Sequence, residues 1–143
     1  MRPELELIQK WLHKAQSDLN MAQVAIDLQP PESAMVCFHC QQAIEKTLKA
    51  YLSHRDVDFE WTHALKYLLD LCAGQDISFE QFLESAVPLT KYAVAFRYPS
   101  DEPDPTIEQA RDALAIARKV WQLVLERLPS ETHPDNSEAA GHK

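Results

Sequence analysis

Ala34-Met-Val-Cys-Phe-His-Cys-Gln-Gln-Ala-Ile-Glu-Lys-Thr-Leu-Lys-Ala-Tyr-Leu52 is the stretch on which the fold turns. It contains no Gly or Pro, and at about 100° per residue its apolar side chains cover well over half the circumference, so the pattern predicts a helix packed on several sides. The polar exceptions carry the information. His39, Gln42, Lys46 and Lys49 fall within an arc of about 80°, a polar stripe one side chain wide. Gln41 and Glu45 sit instead among Phe38, Leu48 and Leu52, where an unpaired carboxylate is costly. Glu45 therefore requires a partner, either Lys49 at i+4 or a cation from another helix.

On the N-terminal side, Ile8, Leu12, Ala15, Leu19, Ala22 and Ile26 alternate steps of four and three, which predicts a first helix over Pro3 to Leu28 lying nearly parallel to a partner. Trp11, Ala15, Asp18, Ala22 and Ala25 form the adjoining row and place Asp18 at the edge of the buried face, where it too wants a donor. Pro30-Pro31 ends this helix, and the short link implies an antiparallel hairpin with the second, which runs to about His54.

Downstream, Arg55-Asp56-Val57-Asp58 breaks the helical pattern. Thr62 is expected to cap a third helix from His63 to Ala73, with Gly74 at C′ and a neutral, structural His63 in the first turn. Ser78-Phe79-Glu80-Gln81 has capping-box spacing, and Pro88 predicts a kink or break in the fourth segment before Leu89, Tyr92, Ala93 and Phe96. An acidic, proline-rich loop follows Arg97-Tyr98-Pro99, and a second capping box, Thr106-Ile107-Glu108-Gln109, opens a fifth helix to Leu128. The residues from Pro129 onward read as a disordered tail, giving one domain over 1–128 and a tail over 129–143.

Composition agrees with an all-α class. A chain of 143 residues with 45% apolar content supplies one core, and two Gly leave little scope for sheet turns, so the expectation is an antiparallel up-and-down bundle of about five helices. No apolar run approaches the roughly 18–20 residues of a membrane span, and the N-terminus lacks a signal-peptide charge pattern, so a soluble, cytoplasmic protein with no membrane partner is expected. A net charge of −8 disfavours non-specific binding of polyanions, so any nucleotide or RNA site must be a local basic pocket. Cys37, Cys40 and Cys72 do not complete a zinc ligand set, and they read as small core residues, with no metal and no cofactor implied.

Taken in order, these segments resemble the HEPN domain. The resemblance rests on Trp11, Ala15, Asp18-Leu19 and Ala22, then on Gln41-Gln42-Ala43-Ile44-Glu45-Lys46-Thr47-Leu48-Lys49-Ala50. It continues through His63-Ala64-Leu65, Leu68-Leu69, Leu89-Thr90-Lys91-Tyr92, Arg97-Tyr98-Pro99 and Glu108-Gln109-Ala110. It implies a helical bundle, usually dimeric, that binds nucleotides or RNA, and small stand-alone members often accompany a minimal nucleotidyltransferase in toxin-antitoxin-like pairs. Some branches are metal-independent ribonucleases whose signature is an arginine, four to six residues, then a histidine. After Arg97 the corresponding positions hold Glu102, Pro103 and Asp104, so a ribonuclease toxin is the lesser alternative, beside a purely structural dimerisation subunit. No catalytic residue is assigned. Arg127 and His133 match the spacing formally but fall at the expected frayed end of the fifth helix, where neither side chain is expected to be held.

The candidate ligand-binding residues are Arg97, Tyr98, Lys46, Lys49, Gln42 and His39. Arg97 can hold a carboxylate or a phosphate in bidentate fashion. It is expected to pair with Glu45 or Asp18 in a structural network that also includes Gln41, or to form an anion pocket with Lys46, Lys49 and Tyr98. His39 qualifies as an acid or base only if it faces Arg97.

Overall fold

The computed structural model describes residues 2–95 and 102–134. The described residues are helical with no strand: α1 (Pro3–Asp27), α2 (Ser33–His54), α3 (Leu65–Gln75), two short α-helical turns, α4 (Leu83–Ala86) and α5 (Tyr92–Ala95), and a long α6 (Ile107–Arg127). Arg97 and Tyr98 lie outside the described residues, and so does the proposed pairing of Arg97 with Glu45 or Asp18.

α2 is the axis of the molecule and touches α1, α3, α5 and α6. Val36, Cys37, Cys40, Leu48, Ala50 and Leu52 are completely enclosed, as the nearly unbroken apolar circumference of this segment predicts. α1 lies antiparallel to it, with Asp18 level with His39 and Lys46, and Trp11 level with Lys49. Leu12, Ala15 and Ala22 of α1 are fully buried, and the small side chains of Ala15 and Ala22 let the two backbones approach.

The chain leaves α2 through Asp56, whose φ of 57° is the left-handed conformation that Asp tolerates better than most residues. It doubles back along α2 as a loop before α3 begins. His63 on this return leg lies level with Gln41 and Glu45, whereas Cys72 reaches Leu48 and Gln75 reaches Arg55. The loop thus serves as one leg of the bundle, and α3 runs in the direction of α2. The broken segment of 3-10 and α-helical turns over 77–95 returns past Leu65, whose backbone N–H donates to Thr90 Oγ1 at 3.1 Å. α6 then runs alongside α2, from Pro105, whose carbonyl accepts from Ser33 Oγ at 2.6 Å, to Arg127, which reaches Asp76 beyond the end of α3.

Several local expectations hold. The Thr106–Gln109 capping box is present with both reciprocal bonds, and the segment around Pro88 is broken into short turns. Others are corrected. Helix α3 starts at Leu65 rather than His63, because Thr62 Oγ1 closes a turn with the Ala64 N–H and the following Leu65 N–H goes to Thr90. Gly74 lies inside α3, without a positive φ, and the helix ends one residue later. Ser78 does not cap the next turn; its own backbone N–H donates to Asp76 Oδ1, so the cap belongs to Asp76. The segment following α6 is not a loose tail through Pro134: Ser130–Thr132 forms a 3-10 turn, Thr132 is buried, and His133 Nε2 donates to the carbonyls of Leu125 and Leu128.

Candidate functional site: a polar seam between the first two helices

α2 carries two carboxylate clusters, one spanning its groove with α1 and one beneath the return loop. In the first, Asp18 of α1 accepts from His39 Nδ1 at 2.9 Å through Oδ1 and from Lys46 Nζ at 2.6 Å through Oδ2. A carboxylate only accepts, so Nδ1 of His39 carries the proton and Nε2 is left as the outward nitrogen. The side chains of His39 and Lys46 are mostly but not wholly covered, and the cluster opens to the surface along one rim. The ring of Phe38 meets His39 edge-on, 5.1 Å between centroids.

The second cluster is built on a buried ion pair. Glu45 Oε2 accepts from Lys49 Nζ at 2.8 Å, and Oε1 accepts from His63 Nδ1 at 2.7 Å and Gln41 Nε2 at 3.2 Å. Gln41 gives its other hydrogen to the His63 carbonyl, and its own Oε1 accepts from Gln42 Nε2 at 2.6 Å. Lys49 is only 1% exposed. Its ammonium lies 5.4 Å from the ring centroid of Trp11, 5.9 Å from that of Phe59 and 4.9 Å from that of Trp61, an aromatic box whose quadrupoles favour the buried cation. No buried polar side-chain atom among the described residues is left without a partner, which is the condition for an ion pair this deep to be tolerated.

This geometry sorts the candidates. Asp18 stands in one cluster and Gln41 with Glu45 in the other, and among the described residues their donors are Lys46 and His39 for the first and Lys49 and His63 for the second. Lys49 is corrected: its ammonium is committed to Glu45 inside the aromatic box and cannot reach an external anion. His63 is not a bystander of a helix start; it closes the second cluster with its ring half in solvent. Gln42 is directed into the network through its amide nitrogen. Lys46 and His39 keep an outward edge. Trp11, Phe59 and Trp61 carry no signal as charge-binding residues in the sequence. The alternation of apolar and acidic residues from Val57 to Trp61 was the available clue, and it reads as a mere break in helical periodicity.

The arginine–histidine spacing at Arg127 and His133 is also resolved. Both side chains are held, but by different partners. Arg127 donates to Asp76 Oδ2 at 2.7 Å and Ser78 Oγ at 3.2 Å, and His133 Nε2 is spent on backbone carbonyls. Among the described residues no group of three or more His, Cys, Asp or Glu is placed to hold a metal ion, and no helix is long and apolar enough to cross a membrane.

A helical bundle built on a central helix and braced by carboxylates that take lysine and histidine together is the class to which this architecture points. The chain belongs to the HEPN domain family, whose domain it matches over residues 8–128. The crystal structure of TT1696 from Thermus thermophilus is similar at 33% identity and a TM-score of 0.70, covering 85% of this chain and 98% of that one. ST0689, an archaeal HEPN homologue, superposes with a TM-score of 0.66 at 22% identity, covering 84% of this chain and 96% of that one, a likeness of fold. No curated protein matches the chain.

Proposed function

We propose that the protein is a dimeric HEPN-type binding module that recognises a nucleotide or an RNA end, working beside a minimal nucleotidyltransferase as its companion protein. The observation that supports this reading is the open rim of the Asp18 cluster. There the side chains of His39 and Lys46, on the face of α2 that meets α1, stay partly open to solvent. Arg97 and Tyr98 follow α5 by two and three residues and are the proposed phosphate clamp and stacking ring. Lys46 and His39 add donors, and Lys49 acts only from within, by fixing Glu45. Binding rather than catalysis is favoured, since no histidine follows Arg97 at the ribonuclease spacing.

Dimerisation is supported by Met21 and Val24 of α1 and Leu28 just past its end, each about half exposed. The test is isothermal titration with ATP, GTP and a short RNA, with light scattering for the mass. Heat of binding in a two-chain species, weakened at least tenfold by Arg97→Ala at unchanged helicity, is the expected result. No heat at millimolar ligand removes the nucleotide reading, and a monomeric mass removes the dimer. RNA cleavage in EDTA that depends on Arg97 establishes the ribonuclease alternative instead.

A further inference from the structure

The return loop between α2 and α3 presents Trp61 in an unusual way. Its backbone is held at several points: the Val57 N–H donates to the Leu52 carbonyl at 3.0 Å, the Glu60 N–H to Tyr67 Oη at 2.9 Å, and the His63 carbonyl accepts from Gln41. Between these points Val57 and Phe59 turn inward, Phe59 against Trp11 at 6.5 Å between centroids, and Asp58 and Glu60 turn out. Trp61 backs onto Lys49 and is nonetheless 83% exposed, the highest value among the exposed large apolar side chains described. An indole fixed by a buried cation on one side, with the rest of its surface in water, is presented to solvent and not collapsed into the core.

The charges beside it have a single sign. Asp56, Asp58 and Glu60 form no ion pair with a described residue, while the neighbouring cations are turned elsewhere, Arg55 to Gln75 and Lys66 to Asp70. Lys49 does not offset them, because Glu45 neutralises it. A nucleic-acid strand or an anionic lipid surface would bring phosphates against unpaired carboxylates. A guanidinium suits both features at once: its plane stacks on indole while its edge hydrogens bond carboxylates, and it is weakly enough hydrated to do so.

We infer that Trp61 is the docking point for a basic, arginine-bearing segment of a partner protein, with the carboxylates of Asp58 and Glu60 beside it as the charge complement. The chain's net charge of −8 adds long-range attraction for such a partner. This inference stands whether or not a nucleotide binds near Arg97.

The experiment is a titration of the full chain with a synthetic peptide alternating Arg and Gly, followed by tryptophan fluorescence and calorimetry. Binding is expected to weaken at least tenfold in Trp61→Ala and severalfold in Asp58→Asn/Glu60→Gln, with a shallower salt dependence in the second variant. Trp61→Tyr, which keeps a ring over Lys49, should retain most of the affinity and controls for loss of the loop's structure. A Lys-Gly peptide of equal length should bind more weakly. Equal weakening by Glu80→Gln/Glu84→Gln, acids on the broken segment, would reduce the effect to bulk charge and overturn the inference. So would unchanged binding in Trp61→Ala, or tighter binding of oligouridylate than of the Arg peptide to the same ring.

Discussion

Asp18 and Glu45 stand on different helices and are solvated in the same manner: each carboxylate takes a lysine ammonium on one oxygen and the Nδ1 of a histidine on the other. The two differ in depth. The Asp18 assembly joins α1 to α2 and keeps an outward edge; the Glu45 assembly joins α2 to the return loop and is closed by aromatic rings. One is suited to meeting something outside and the other to holding the loop in place.

The closed pair should behave as a unit. Lys49→Met leaves a buried carboxylate without its ammonium and Glu45→Gln leaves a buried ammonium without its carboxylate, and each is expected to cost about 3–5 kcal/mol. The double variant should cost clearly less than the sum, because two uncharged side chains of similar volume need no mutual compensation. Urea unfolding of the three variants measures this; additive losses would show that the two groups are not coupled.

The open cluster should respond to Asp18→Asn with a smaller loss, about 1.5–3 kcal/mol, the scale of hydrogen bonds to a charged group. It should also release the tautomer of His39. Nitrogen-15 spectra of the neutral ring are expected to show the proton on Nδ1 in the native protein and a mixed or Nε2 form in the variant. An Nε2-protonated ring in the native protein would contradict the observed hydrogen bond.

Acid stability should report on the contact between the last turn of α6 and the cap after α3. Hydrogen bonds from Ser78 and Arg127 hold the Asp76 carboxyl at about 2. The folded value lies below the ordinary carboxylate range near 3.9, so the pair stabilises the fold above about pH 4. That contribution fades as the pH falls toward 2. The loss of chemical stability across this window should be smaller in Asp76→Asn than in the native chain. Equal losses would mean that Asp76 is not the titrating group.

The cysteines should be chemically silent in the folded state. Burial pushes the Cys37 thiol to about 11, against weaker opposing effects of a Tyr92 hydrogen bond and Lys91, and pushes Cys40 to about 12. Cys72 is raised further by burial alone. At pH 8 an aromatic disulfide reagent is expected to titrate essentially none of the three until denaturant is added. Prompt reaction of one thiol in the native protein would place that residue at the surface.

Much of this was legible in the amino-acid order, and for identifiable reasons. Helical period and the absence of glycine mark α1, α2 and α6, and the need of a buried Glu45 for a cation follows from its apolar neighbours. Lys49, at a spacing of four, is one of the two partners that reading allows, beside a cation from another helix. What could not be read is long-range. Lys46 and Lys49 fall on one stripe, yet one faces Asp18 across a groove and the other is roofed by a loop that merely interrupts the helical pattern. Likewise, the capping spacing at Ser78 is overridden by Asp76, because the preceding carboxylate is already placed to accept the same N–H. The turn after α6 escaped notice because Thr132 and His133 are polar by type, and only their backbone partners show them to be interior.

The position of α2 has a consequence for synthesis. One of its faces is completed by α6, which leaves the ribosome more than fifty residues later, so a nascent chain ending in the acidic proline-rich loop leaves that face of α2 uncovered. Fragments cut in that loop should be insoluble apart and complement each other when co-expressed. A gene fusion that delays α6 should lengthen the interval in which the unfinished protein depends on chaperones.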